Sequence, residues 1–408
     1  MSIVKIQGHA SGTGTLTVTA PNTSTNRTLT LPDTTGTLLD ENSSLPAANI
    51  TGTLPAISGA SLTSVNAVNS GRRNMIINGA MKVAQRATST AWASNGYIAL
   101  DRYSFANNNT AGRFTAIQTA DGPSGFANCL EIDVTTADTS IAADEHLVLQ
   151  YKLEGQDLQQ IAKGTADAKQ VTVSFYVKGN ASATYMCELF DRDNTRLNQQ
   201  QFSVTTGWTR VELTFAADTT GAFDDDNAHS LDVQFWLHAG ADFTGGSYTA
   251  NTWADTASAN RAVGISSLYS STSNYFRITG LQLELGAVAT DFEHRSYGEE
   301  LLLCERYYQT YVAGEQEWIY CEGTATTHKW WQVRYRGMRA APTFSASSAY
   351  TGVSSGNVGG GDIVSLSGTP SLNRVSVRVT MTNTSGTAHG IHHIDAWAND
   401  SCYFDAEL

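Results

Sequence analysis

The sequence predicts an all-β protein, and three observations lead to that prediction. Only 15% of the 408 residues are charged. The chain is punctuated by 35 glycines, which suit frequent turns. Short runs alternate between polar and apolar side chains with a period of two, as in residues 15–19 and 27–31. Because that period places successive side chains on opposite faces of a strand, we expect exposed sheets rather than packed helices.

Length and charge set further limits. A chain of 408 residues is too long for one ordinary core, which predicts two or three domains. The formal net charge of −13 opposes the phosphate contacts that supply most nucleic-acid affinity, so nucleic-acid binding is not expected. No stretch approaches the roughly 20 apolar residues of a membrane-spanning helix, and the first ten residues lack the pattern of a signal peptide. We expect a soluble, unprocessed protein without membrane insertion.

The five cysteines are odd in number, widely spaced and never paired as Cys-Xaa-Xaa-Cys. Such a pattern indicates neither a disulfide framework nor a zinc site. We expect buried thiols in a protein made in a reducing cytoplasm. The cysteines are Cys129, Cys187, Cys304, Cys321 and Cys402.

Residues 1–70 show no helical periodicity and almost no large aromatic side chains. Their alternating runs hold too few apolar positions to build a core within one chain, so the segment is either disordered or completed by neighbouring copies. We prefer completion by neighbours. Residues 45–62 space Leu and Ile through small residues and prolines, as expected of an extended linker whose apolar side chains meet on a threefold axis. The segment is therefore predicted to be the shaft or linker of a trimer.

A denser apolar and aromatic composition begins after residue 70, and residues 71–297 are predicted to form a jelly-roll β-sandwich. Seven strand candidates separated by turn residues indicate this architecture. One short helix is expected at residues 156–162. The strand candidates cover residues 129–134, 146–153, 170–177, 184–190, 209–215, 231–237 and 275–285.

Residues 298–408 are predicted to form a short helix followed by a smaller C-terminal β-sandwich, the tip. The helix is expected at residues 298–308, where leucines and a tyrosine recur at helical spacing behind acidic residues that favour a helix N-terminus. The strand candidates of the tip cover residues 318–322, 329–336, 363–366, 375–381, 391–397 and 403–408.

Two groups of residues resemble a known family. Residues 73–79, which read Arg-Asn-Met-Ile-Ile-Asn-Gly, resemble with residues 85–86 and 101–103 the opening of a jelly-roll domain found in marine phage tail fibres. Residues 276–293 and 299–308 are similar to the far boundary of the same domain. The resemblance covers roughly residues 73–310.

The resemblance implies a structural tail fibre of a tailed bacteriophage of the marine or cyanophage type. Such fibres are trimers attached to other virion proteins by their amino-terminal segment, and the central fold is similar to carbohydrate-binding jelly rolls. We therefore expect a homotrimer in the virion tail, made in the host cytoplasm, that mediates adsorption by binding host surface glycans. The alternatives are a glycan-degrading tailspike and a head-fibre or decoration protein without a receptor role. We expect exposed loops and aromatic side chains of the tip to contact the receptor, so a chain ending at about residue 297 should stay folded but lose cell binding.

Six aromatic side chains are candidate glycan-binding residues. Trp330 and Trp331 are adjacent, so in a strand one faces the core and the other is free to stack on a sugar or on a partner chain. Trp92 with Tyr97, and Tyr248 with Trp253, occur in segments with Gly and Asn where apolar burial is harder. The alternative for these residues is core packing or a trimer interface.

Acidic and imidazole side chains supply the candidate metal ligands. Asp224, Asp225 and Asp226 offer hard oxygen ligands for a structural calcium ion, although the run lacks the pattern of an EF-hand loop. The alternative is a solvated acidic turn. The histidines at positions 389, 392 and 393 form a further cluster, but adjacent strand residues point to opposite faces and do not easily share an ion. We expect no other cofactor.

Catalytic motifs are missing from the sequence. It contains no Gly-Xaa-Ser-Xaa-Gly elbow, phosphate loop or His-Glu-Xaa-Xaa-His helix. The carboxylates of Glu188, Asp191, Asp193 and Glu212 are scattered along strand candidates, and no motif singles out a pair that could flank a glycosidic bond. We therefore predict that the protein is not an enzyme.

Overall fold

The computed structural model describes residues 72–312, 317–322, 328–346, 353–355, 358–361, 363–370, 374–381, 389–394 and 401–408, together with residue 11. Within residues 311–334 and 346–402 it describes the backbone alone. The predicted trimeric shaft at residues 1–70 lies outside the described residues apart from Ser11, so it stays a prediction. The other described residues belong to one compact unit, Asn66–Leu408.

Two antiparallel sheets account for most of the described residues up to 285. Their strands are β1 (Ser89–Ala91), β2 (Gly96–Tyr97), β3 (Tyr103–Asn108), β4 (Arg113–Thr119), β5 (Cys129–Thr136), β6 (His146–Glu154), β7 (Val171–Gly179), β8 (Ala183–Asp191), β9 (Arg196–Val204), β10 (Thr209–Phe215), β11 (His229–Ala239), β12 (Ala254–Asp255) and β13 (Tyr275–Leu285). The six-stranded sheet has the order β1-β4-β5-β13-β7-β10, and the seven-stranded sheet has the order β12-β9-β8-β11-β6-β3-β2.

The hydrophobic core lies between these two sheets. Phe175 on β7 contacts Phe202 on β9 and Phe235 on β11, with ring centroids 5.1 and 5.0 Å apart. Since β7 belongs to the six-stranded sheet and the other two strands to the seven-stranded sheet, these ring contacts cross the sandwich. The side chains of β7 alternate between the core and the outer face, as Val173, Phe175 and Val177 show. The prediction of an all-β sandwich is confirmed.

Some elements differ from the sequence-based expectation. The strand candidates at residues 209–215 and 275–285 match the observed strands, whereas β3, β4 and β9 were not predicted. The helix expected at residues 156–162 is wrong: two 3₁₀ turns, Gly155–Asp157 and Gln159–Ile161, stand there instead. Ala162 ends the second turn in the left-handed conformation, with φ at 54°, which stops the segment from continuing as an α-helix.

The structure describes two α-helices, α1 (Ala241–Thr244) and α2 (Tyr297–Cys304). The second confirms the helix expected after residue 297. Ser296 and Glu299 form a capping box at its start, in which each side chain bonds the backbone N–H of the other residue. Near its end Cys304 and Tyr307 are buried against Ile77 and Val83, so α2 packs on the start of the sandwich.

Ten strands follow α2 in the described residues. They are β14 (Tyr308–Val312), β15 (Glu317–Glu322), β16 (His328–Arg334), β17 (Thr343–Ala346), β18 (Val353–Ser355), β19 (Val358–Gly361), β20 (Ile363–Pro370), β21 (Arg374–Met381), β22 (His389–Ile394) and β23 (Ser401–Asp405). They form sheets of the orders β14-β23-β17, β15-β22-β18-β19 and β16-β21-β20. The predominance of strands after residue 308 is confirmed, while their packing into a smaller sandwich and the domain boundaries stay predictions.

Three of the five cysteines lie among the residues whose side chains are described, and all three are buried free thiols, as expected. They are Cys129, Cys187 and Cys304. Burial raises the pKa of Cys129 to about 12, which keeps this thiol protonated and unreactive at neutral pH. None of the helices in the described residues is both long and apolar enough to cross a membrane.

Candidate functional site

A cleft of about 230 Å³ lies at one edge of the seven-stranded sheet, beside β9 and β12. Its residues come from the outer side of β9, from the segment after α1 and from the segment around β12. They are Leu197, Gln199, Ser247, Tyr248, Thr249, Thr252, Ala254, Asp255, Ala257 and Asn260. One wall of the cleft is thus a regular strand and the other is irregular backbone. Binding residues often lie on loops that a rigid scaffold holds in place.

Backbone hydrogen bonds hold the irregular wall of the cleft against the sheet. The short strand β12 pairs with β9 at Ala254 and Asp255. Asn251 has a positive φ of 57°, and its N–H donates to the Gln199 carbonyl over 3.1 Å. Its side-chain Oδ1 accepts from the Ala216 N–H at 2.6 Å. Asn tolerates this left-handed conformation better than most residues, so Asn251 fixes the turn on which the wall depends.

Gln199 forms part of the cleft lining and is only 2% exposed. Its side-chain Nε2 donates to the carbonyl of Asn260 at 2.6 Å, which also settles the orientation of the amide because a carbonyl can only accept. The Oε1 atom accepts no hydrogen bond within the part of the chain that the structure describes. A buried acceptor without a donor is costly, and because this oxygen is shielded from solvent it offers no free acceptor to the cleft.

Tyr248 supplies an aromatic side chain to the cleft. The residue is half-buried and packs against a cluster of buried residues on the outer face of the seven-stranded sheet, namely Val148, Met186, Trp236 and Ala262. Burial raises the pKa of the Tyr248 phenol, so it stays protonated and able to donate a hydrogen bond at neutral pH. Because most of this cluster lies on strands of the sheet, the sheet supports the position of Tyr248.

The charges at the cleft are paired. The Asp255 side chain is 92% exposed at the rim, and its Oδ1 lies 2.9 Å from a guanidinium nitrogen of Arg196. The same guanidinium bonds both oxygens of Asp218, at 2.9 and 3.3 Å. These hydrogen bonds, above all those that Arg196 donates to Asp218, raise the pKa of Arg196. Arg196 is therefore already matched by two carboxylates.

The sequence singled out Tyr248 together with Trp253, and the structure separates their surroundings. The Trp253 side chain packs partly buried against the core of the sandwich, and its Nε1 donates to the Ala216 carbonyl at 2.7 Å. The ammonium of Lys163 lies 5.2 Å from the Trp253 ring centroid. Trp253 lines a small inner cavity with Lys163 and is not among the residues that line the cleft.

Trp92 and Tyr97 lie elsewhere on the sandwich. Trp92 packs half-buried against the core, 6.5 Å from the ring of Phe114. The Tyr97 hydroxyl donates to the carbonyl of Leu408 at 3.2 Å. Neither residue lines the cleft. Glycan binding by these two residues stays a prediction.

Trp330 and Trp331 are neighbours in β16, where they pair with Arg378 and Val377 of β21. Their side chains lie outside the described ones. Their role as glycan-stacking residues therefore stays a prediction.

The acidic turn at residues 224–226 is placed by the two 3₁₀ turns. The N–H of Asp224 donates to the Asp193 carboxylate at 3.0 Å, and the Asp226 carboxylate accepts from the Ala228 N–H at 2.8 Å. No hydrogen bond of the Asp225 side chain is found in the described chain. Within the described ranges, no group of three or more His, Cys, Asp or Glu residues is placed to hold a metal ion. Calcium binding at Asp224, Asp225 and Asp226 stays a prediction.

The sequence did not single out Gln199 and Asn260. Gln199 belongs to a polar run, residues 198–201, in a segment that was not predicted to be a strand. Such a run between Leu197 and Phe202 is the signal that could have identified it, because a polar side chain between two buried apolar positions requires a partner or a ligand.

Comparisons with known proteins give distant likenesses. No protein-family model matches the chain, and no curated protein matches it. The CBM22-1 xylan-binding domain of Xyn10C from Paenibacillus barcinonensis shares 12% identity at a TM-score of 0.26, covering 54% of this chain and 100% of that chain. A family 11 carbohydrate-binding module from Clostridium thermocellum shares 11% identity at a TM-score of 0.25, covering 50% of this chain and 98% of that chain.

A phage protein is also among the matching structures. It is the enzymatically active domain of tailspike protein 4 from bacteriophage CBA120, with 10% identity and a TM-score of 0.29. The match covers 52% of this chain but only 21% of the tailspike chain. Because all three TM-scores lie below 0.5, the architecture of this chain is established by its own two sheets.

Proposed function

We propose that this protein is a fibre of a tailed bacteriophage that attaches the virion to host cells by binding surface glycans, and that the cleft is a glycan-binding site. One observation carries the proposal: the cleft brings Tyr248 together with the side chains of Gln199 and Asn260 on a rigid sheet edge. Ligand sites typically combine an aromatic or apolar wall with a few placed polar groups. The resemblance of residues 73–310 to phage fibres supports the virion role.

The chemistry of the cleft suits a sugar. A pyranose ring offers apolar C–H faces that pack on an aromatic side chain, and its hydroxyls both donate and accept hydrogen bonds. The Tyr248 ring provides the apolar surface, while the lining residues Ser247, Thr249 and Thr252 carry hydroxyls that can donate and accept hydrogen bonds. Weak binding of each cleft would be strengthened by avidity in a trimer that faces a repeated surface polysaccharide.

The alternative function, glycan hydrolysis, is disfavoured by the state of the buried carboxylates. Such an enzyme needs two carboxyl groups facing one glycosidic bond. Glu188 is buried and bound by Arg261 at 2.5 and 3.1 Å, and Asp191 is buried beside Lys163 at 2.5 Å. Ion pairing holds these carboxylates in structural roles, so we propose binding without hydrolysis.

The binding role predicts that Tyr248→Ala weakens glycan binding at least tenfold. Removing the aromatic wall deletes the apolar contact with the sugar, and a tenfold change corresponds to about 1.4 kcal/mol. Binding of the purified full chain to host surface polysaccharide would be measured by biolayer interferometry. Tyr297→Ala is a matched control, because Tyr297 is 56% exposed on α2 and does not line the cleft. Equal binding by both variants would contradict the assignment of the cleft.

The fibre role predicts a homotrimer. Light scattering of the full chain is expected to give about three times the chain mass of 43.7 kDa. A chain that begins at residue 71 is expected to lose the trimer, since residues 1–70 were inferred to need neighbouring copies for their core. A monomeric full chain would contradict the fibre proposal.

A further inference from the structure

We propose that the cleft is selective for a single uncharged sugar ring, such as a neutral hexose at a chain end or branch, and rejects carboxylated, sulfated or phosphorylated sugars. This inference rests on the proposed glycan-binding function and adds the class of ligand. Two properties of the cleft carry it: its charge and its size.

The charge of the lining favours an uncharged ligand. None of the ten lining residues, all within the described chain, is Lys, Arg or His. The acidic residue among these ten is Asp255, whose side chain is exposed at the rim. The nearest guanidinium named above, that of Arg196, is already bound to Asp218 and Asp255. An anionic sugar would lose hydration on entering and meet a like charge without gaining a free cation.

The size of the cleft limits the ligand to one ring. Its volume of about 230 Å³ is smaller than the roughly 300–1,000 Å³ of sites for drug-sized ligands. A long oligosaccharide would have to lie outside the cleft, where the walls described above make no contact. We therefore expect recognition of one ring, with the rest of the glycan in solvent.

The test is a glycan array that carries neutral glycans and carboxylated, sulfated and phosphorylated glycans, probed with the full chain and with Tyr248→Ala at low and high salt. The expected result is signal on neutral glycans that is insensitive to salt and is lost with Tyr248→Ala. Signal on the acidic glycans that falls with salt and is lost with Tyr248→Ala would overturn the selectivity while leaving glycan binding at the cleft intact. No glycan signal at all would overturn the proposed function itself.

A further variant examines the role of the rim charge. Asp255→Asn removes the rim charge, and we expect neutral binding to stay within twofold while binding of acidic glycans rises. Loss of neutral-glycan binding by Asp255→Asn, in a variant that melts like the parent protein, would overturn the inference, because it would show that the Asp255 carboxylate binds the neutral sugar directly and is not a rim charge that only repels anions.

Discussion

Lys163→Met is expected to lower the free energy of unfolding by about 3–5 kcal/mol, because it leaves a buried carboxylate without its cation. The Lys163 ammonium lies 2.5 Å from an oxygen of Asp191 and 3.1 Å from an oxygen of Asp218. It also donates to the carbonyls of Thr220 and Gly221, each at 2.8 Å. The Lys163 side chain is 2% exposed and that of Asp191 is fully buried, so water cannot replace the lost ammonium.

The two carboxylates should suffer unequally from the loss of Lys163. Asp218 keeps the guanidinium of Arg196, whereas Asp191 keeps only amide and N–H donors of Asn194. The double variant Lys163→Met with Asp191→Asn is therefore expected to be more stable than Lys163→Met alone, since it removes the unpaired charge.

Urea unfolding monitored by tryptophan fluorescence measures these differences. Lys169→Met is the matched control, because Lys169 is exposed six residues further along the chain. Its effect is expected to stay within about 0.5 kcal/mol. If Lys163→Met and Lys169→Met unfold at the same urea concentration, the ammonium makes no net contribution and the buried-pair interpretation is wrong.

This buried ion group is linked to the cleft through a chain of charges. Asp218 binds both Lys163 and Arg196, and Arg196 in turn binds Asp255 at the rim. Burial by itself would raise the pKa of Asp218, but the hydrogen bonds from Arg196, Thr220 and Lys163 outweigh burial and hold that pKa below its usual value. The carboxylate that anchors Arg196 thus stays ionised at neutral pH, which keeps the guanidinium away from an incoming ligand.

The sequence predicted the strands whose core faces are continuously apolar and missed strands whose alternation is interrupted. In β13 apolar residues alternate in two runs, at positions 276 and 278 and at positions 281, 283 and 285, with a register shift between them, and its bounds were predicted correctly. In β9 the inward positions 198 and 200 are both polar, although Asn198 is buried. The Gln200 amide donates to the Thr214 carbonyl of the opposite sheet at 2.8 Å. Such a hydrogen-bond acceptor on the opposite sheet depends on how the two sheets pack, so the sequence around Gln200 does not indicate it.

The candidate site was predicted only in part, and the reason is similar. Tyr248 was identified because an aromatic residue in a segment with Gly and Asn has few ways to be buried. Trp253 fulfilled the same criterion, yet the carbonyl of Ala216 satisfies its indole N–H inside the structure. The contribution of Gln199 depends on the cleft formed by residues 247–260, which are about 50 positions later in the chain. The pattern of residues near Gln199 in the sequence therefore cannot predict that residues 247–260 pack beside it.

A chain that ends at residue 297 is expected to fail to fold, contrary to the expectation of an independent domain at residues 71–297. Residues beyond that point complete the buried parts of the sandwich. Glu300 accepts the N–H of Asn78 at 2.5 Å, and the Arg306 guanidinium binds the buried Glu154 at 2.7 and 2.9 Å. The Arg102 guanidinium, 1% exposed, pairs with Glu407 and lies 3.4 Å from the ring centroid of Tyr307.

Truncation would remove these partners together. Breaking one buried ion pair by removal of a partner costs about 3–5 kcal/mol, and the truncated chain would leave both Arg102 and Glu154 without a counter-charge. It would also expose Ile77 and Val83, which α2 and Tyr307 cover. A typical domain is stable by about 5–15 kcal/mol, so the sum is enough to unfold the sandwich.

Circular dichroism and thermal melting of two truncated chains test this expectation. The chain that ends at residue 297 should show no cooperative unfolding transition. The matched chain that begins at residue 71 and ends at residue 408 should melt cooperatively, because it keeps α2 and the partners of Arg102 and Glu154. A cooperative transition in the chain ending at residue 297, at a temperature close to that of the matched chain, would show that the sandwich is independent of α2 and the last strand. Loss of cell binding by such a folded fragment would then place the receptor site in the tip instead of the cleft.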